Sequence, residues 1–88
     1  MERDIGDIRR EIDAIDEQLL KLLNRRSRLS VEIGHTKRAS QKCAFDPARE
    51  EEIILRLDPM IEPPLTRPMM ERIFREIFSL SRAIQLRQ

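Results

Sequence analysis

Residues 12–37, "IDAIDEQLLKLLNRRSRLSVEIGHTK", decide the fold, because their apolar side chains recur along one helical seam. Extended back by one step, the seam is Ile8, Ile12, Ile15, Leu19, Leu22, Arg26, Leu29 and Ile33, spaced 4, 3, 4, 3, 4, 3 and 4, the heptad stepping of a helix packed lengthwise against another. One member of the seam is a guanidinium. No proline precedes Pro47, and Gly34 is the only glycine beyond the first turn, so the helix is predicted from about residue 5 to about residue 40. At about 1.5 Å per residue it is roughly 50 Å long. A globular domain near this size has a radius of gyration of only about 13 Å, so the rest of the chain cannot cover such a helix. The expectation is a dimer in which long helices cover each other.

Composition points the same way. Eighty-eight residues make a single domain, 1–88, with a modest core of its own. Hydrophobic content is 40%, aromatics are 3%, and there are 2 glycines and no tryptophan, which favours packed helices over sheets. The fold class is therefore all-α. Seventeen basic and sixteen acidic residues nearly cancel to +1 and are interspersed, so no basic field invites nucleic acid or a membrane surface. An anion site, if present, is local. The lone Cys43 and lone His35 offer no metal-ligand spacing and no Cys/His nucleophile, and no metal is expected. The N-terminus "MERDIGDIRREID" lacks the apolar core of a signal peptide and no stretch has the length of a membrane span, so a cytoplasmic location is expected.

After the long helix, Asp46 and Pro47 give an N-cap and a first-position proline for a second helix, predicted to run to about Leu57. "DPMIEPPLTRP" then places four prolines in eleven residues, which predicts no helix until Thr66 caps a third one over about 67–87, with Pro68 tolerated in its first turn. The apolar face of that helix is Met70, Ile73, Phe74, Ile77, Phe78 and Ile84, interrupted by Ser81 and Gln85 one turn apart.

These polar interruptions are the candidate site. Arg26 and Lys37 are eleven residues apart, close to three full turns, so they project from nearly the same side with Cα atoms roughly 16 Å apart. Between them they can hold a small anion, with Ser81 and Gln85 closing the pocket from the third helix. Arg9 lies seventeen residues before Arg26, roughly 25 Å along the axis, and reaches that pocket only from an antiparallel partner helix. Each residue also has an ordinary reading: Arg26 as an ion-paired interface residue or register device, Lys37 as a complement to the helix dipole, Arg49 and Glu50 as surface charges, Ser81 and Gln85 as partners of nearby backbone. A pocket of arginine and lysine with one carboxylate, an amide and no nucleophile suits a small polycarboxylate. Any chemistry there must come from positioning and electrostatics alone.

"IRREIDAIDEQLLKLLNRRSRLSVEIGHTK" at 8–37, "DPARE" at 46–50 and "IFREIFSLSRAIQ" at 73–85 together resemble the all-helical (type II) chorismate mutases, with similarity over about residues 5–86. The resemblance implies an intertwined homodimer of three-helix protomers that rearranges chorismate to prephenate without a cofactor. It implies that Arg26, with Arg9 of the other protomer, grips the two carboxylates of the substrate. Lys37 and Gln85 would donate to the ether oxygen as its C–O bond breaks. Glu50 would accept from the ring hydroxyl, helped by the backbone at Asp46, with Arg49 and Ser81 completing the polar wall.

The chain departs from that family at Cys43-Ala44-Phe45, where a proline and an aliphatic residue are common, and in its short proline-rich link before the third helix. Neither departure touches a matched site residue. The resemblance fits a free-standing enzyme and the mutase portion of a longer protein alike. Two other activities fit the same residues: an isochorismate-pyruvate lyase, which shares the arginine clamp, and a non-catalytic helical module for dimerisation or sensing.

Overall fold

In the computed structural model, residues 3–39 and 45–87 are described, apart from the side chains of 37–39. They form three α-helices: α1 (Ile5–Ala39), α2 (Pro47–Leu57) and α3 (Arg67–Arg87), with a 3₁₀ turn at Asp58–Met60 between α2 and α3. Asp4 caps α1, its carboxylate accepting from the Asp7 N–H at 2.8 Å. The Asp46 carboxylate does the same for α2 through the Arg49 N–H at 3.1 Å. Thr66 caps α3, its hydroxyl accepting from the Met69 N–H at 3.4 Å.

The 3₁₀ turn is the one element that proline counting misses. Pro59 sits at its second position, where no N–H is needed, so a single tight turn forms in a stretch that forbids a longer helix. Arg67 ties this turn to α3, with Nε 3.0 Å from Glu71 and 3.8 Å from Asp58.

The core lies between α2 and α3. Ile53, Ile54, Met70 and Phe78 are buried, with Leu57, Ile61 and Phe74 packed against them. Ile73, expected on the buried face, is instead 53% exposed. At about 100° per residue it lies roughly 60° from Met70 on the side away from Phe78, so the centre of the buried stripe misses it. Leu80 lies on the same edge and is exposed as well.

Most of α1 lies open among the described residues. Every residue from 7 to 25 is exposed, and the seven apolar seam residues are between 41% and 60% exposed. A compact 88-residue chain would have a radius of gyration of about 12 Å; here it is 16.5 Å, with extents of 59 × 23 × 14 Å. A row of isoleucines and leucines two-fifths or more open to water is an unpaired packing surface rather than a solvated face. No helix among the described residues is long and apolar enough to cross a membrane.

Candidate active site

α1 meets α3 in its C-terminal half, from about Leu23 onward, and there, opposite the start of α2, a cavity of about 320 Å³ opens. From α1 it receives Arg26 and Ser30, from the first turn of α2 Asp46, Arg49 and Glu50, and from α3 Ser81, Arg82 and Gln85. Leu29, Ile33, Ile53 and Phe78 supply an apolar floor. Of the eight residues expected at a site, Arg26, Asp46, Arg49, Glu50, Ser81 and Gln85 converge here. Arg9 does not: it sits on the exposed N-terminal part of α1. The backbone of Lys37 belongs to the last turns of α1, but its side chain lies outside the described residues, as do Cys43 and Ala44.

Arg26 is half-buried with its guanidinium 5.9 Å from the centre of the Phe78 ring. Burial holds its pKa below the ordinary arginine value, and the like charge of Arg49 adds to the effect. Among the described residues no carboxylate offsets either influence. Its positive charge persists at any physiological pH, so the cavity holds a partly desolvated cation that no described carboxylate pairs. That is the arrangement of an anion site, and it differs from the ion-paired interface residue that a seam arginine otherwise suggests.

The other charges are committed. Arg49 is exposed and pairs with Glu52 at 2.6 Å. The Glu50 side chain is largely buried, receives a hydrogen bond from Arg82 and has Arg75 4.0 Å away. Arg82 in turn stacks over Phe45, 5.1 Å from its ring centre. The Ser30 and Ser81 hydroxyls lie 2.6 Å apart, and Gln85 Nε2 donates to Ser81 at 3.4 Å, while Gln85 Oε1 is buried without a partner. Neither serine faces a general base, so the site has no activated nucleophile. It offers a guanidinium fork for a carboxylate, a held carboxylate that accepts from a hydroxyl, and an amide.

Three residues here were not anticipated. Ser30 falls four residues after Arg26 and so shares its face, a signal present in the spacing. Arg82 carries no such signal, since a charged residue beside Ser81 reads as a solvated one. Gly34 was visible only as a glycine inside a helix, a position that costs about 1 kcal/mol relative to alanine. Its reason is contact: a Cβ there would lie 2.7 Å from the Gln85 carbonyl oxygen and 3.0 Å from the Gln85 Cα. The glycine lets the two helices touch at the residue that presents the amide. Gly34→Ala is therefore expected to lower Tm despite its better helix propensity, at a net cost of about 1–3 kcal/mol. A higher Tm in thermal unfolding would mean that the helices part freely there.

Comparison with known proteins gives a consistent answer. The family model for chorismate mutase type II matches residues 8–86. The bifunctional chorismate mutase/prephenate dehydratase of Aquifex aeolicus (strain VF5) is 38% identical over 80 residues, which cover 86% of this chain and 22% of that protein. The protein of the same description from Stutzerimonas stutzeri is 32% identical over 83 residues, 89% of this chain and 23% of its own. The chain thus spans less than a quarter of the length of these curated relatives. Among solved structures, chorismate mutase (form II) from Thermus thermophilus superposes with a TM-score of 0.91 at 33% identity, covering 96% of each chain. Chorismate mutase from Helicobacter pylori in complex with prephenate gives a TM-score of 0.86 at 30% identity, covering 94% of this chain and 90% of that one.

Proposed function

This chain belongs to the type II chorismate mutase family, and from that premise we propose that it rearranges chorismate to prephenate in a dimer whose two sites are each built from both chains. The reaction breaks one C–O bond and forms one C–C bond within a single molecule; nothing enters or leaves. It needs no nucleophile and no cofactor, only a compact substrate conformer and relief of the charge that develops on the ether oxygen. The observation that carries the proposal is Arg26, a half-buried guanidinium with no carboxylate of its own at the head of a cavity with a donor amide at its side.

Arg26 binds one substrate carboxylate through its fork. Glu50, held by Arg82, accepts from the ring hydroxyl, and Asp46, Arg49 and Ser81 line the remaining wall. Gln85 and Lys37 donate to the ether oxygen as it gains charge. The second carboxylate goes to Arg9 of the other chain. Along α1 Arg9 is roughly 25 Å from Arg26, and the uncovered seam over residues 7–25 is where an antiparallel copy of α1 would bring it.

Separate incubation of the purified protein with chorismate and with isochorismate, with identification of the products, tests the activity. Prephenate from chorismate is expected. Pyruvate from isochorismate with no prephenate from chorismate would make it a lyase, and no product from either would make it a binding module.

Gln85 has its own test. Gln85→Glu keeps length and shape, but an ionised carboxylate has no proton to donate and repels the ether oxygen as its charge grows. The protonated acid donates. The variant is expected to be poorly active at neutral pH and to gain kcat/KM as pH falls toward the carboxyl pKa, from a reference of about 4.3. A profile parallel to that of the wild type would remove Gln85 from the donor role.

A further inference from the structure

Glu50 lines the cavity although its side chain is only 13% exposed. A carboxylate so removed from water depends on its partners, and here both come from α3. Arg82 Nη1 donates to Oε2 at 2.5 Å, the one hydrogen bond to this carboxylate among the described residues. Arg75 Nη1 stands 4.0 Å from Oε1, too far for a hydrogen bond, while its Nη2 is turned to Glu51 at 3.5 Å. The direction of the Arg82 bond is fixed, because a guanidinium only donates and an ionised carboxylate only accepts. Arg82 is itself steadied over the face of the Phe45 ring, 5.1 Å from its centre.

One bond takes up one of the roughly four acceptor positions of a carboxylate, so Glu50 is pinned and still able to accept from a ligand hydroxyl. A glutamate side chain gives up much rotamer freedom when it is held in one place, and a charge-assisted bond is strong enough to hold it. We propose that Arg82 is a positioning residue that sets the selectivity of the site for a substrate bearing the ring hydroxyl, by fixing the Glu50 carboxylate that accepts from it. The inference rests on the reading of Glu50 as that acceptor. The charge of Arg82 also attracts any dianionic ligand, but that attraction is the same with or without the hydroxyl. Selectivity therefore isolates the positioning role.

The readout is the ratio of kcat/KM for chorismate to kcat/KM for an analogue in which hydrogen replaces the ring hydroxyl; the bonds that break and form are the same in both. Arg82→Met keeps the aliphatic stem, removes the guanidinium and is expected to lower the ratio by about tenfold. Glu50→Ala is expected to lower it by at least as much. Adding Arg82→Met to Glu50→Ala is expected to change it by less than about twofold, because no carboxylate remains to position. Arg82→Lys keeps a cation beside Glu50 without the planar guanidinium and is expected to lower the ratio by about threefold. A ratio unchanged in both Arg82 variants, beside a lowered one in Glu50→Ala, would overturn the proposal and leave Glu50 as acceptor, as would a further fall in the double variant. A ratio unchanged in Glu50→Ala would overturn the acceptor reading and the positioning role with it. Both substrates are measured on one preparation, so a loss of folded protein cancels from the ratio.

Discussion

Arg26→Ala is expected to lower kcat/KM for chorismate by about 10²- to 10⁴-fold while leaving the Tm of the unliganded protein unchanged or slightly raised. The loss follows from a two-bond guanidinium clamp on a carboxylate, each charge-assisted bond contributing about 1.5–3 kcal/mol, with about 1.4 kcal/mol per tenfold in rate. The Tm half of the expectation follows from the charge. Burial and Arg49 both lower the Arg26 pKa, so the folded state holds its proton less tightly than the unfolded state does. A basic group shifted down in this way opposes folding at every pH below its folded-state pKa, which for an arginine includes the whole physiological range. Alanine relieves that opposition and gives up the packing on Phe78 in exchange. Arg26→Lys restores a point charge without the planar fork and is expected to recover only a small part of the activity. Steady-state kinetics and thermal unfolding on the same preparations decide the matter. A large fall in Tm with activity retained would make Arg26 a structural residue of the seam.

The same residue marks how far the sequence could be read. Heptad stepping placed Arg26 where leucine belongs, and the long α1, the cap at Asp46 and the restart at Thr66 followed from spacing, capping and proline chemistry, all of which act locally. Six site residues converge because helical period and helix order settle which faces can meet. Other features depend on contacts that form only when helices pack. Ile73 has the right period but sits at the edge of the stripe, and which edge is covered depends on where α2 lies. Arg82 joins the site because Glu50 and Phe45 come to it from another helix and another loop. Gly34 matters because the backbone of α3 touches it. Arg9 was assigned to a second chain from helix length alone, and the exposed seam agrees with that assignment without bringing a second chain into view.

The central claim is that the cavity of one protomer is completed by Arg9 of another. Subunit complementation tests it most directly, and its expected effect is the change from nearly no activity to readily measurable activity. Arg9→Ala and Arg26→Ala homodimers each lack one arginine at both sites, and both are expected to be inactive. In a heterodimer one site combines Arg26 of the first chain with Arg9 of the second and is intact, while the other site lacks both. Random pairing of equal amounts makes about half of the dimers mixed, so about a quarter of all sites are whole. Refolded mixtures are predicted to recover about a quarter of wild-type kcat at an unchanged KM. Heterodimers that demonstrably form and remain inactive would contradict the account.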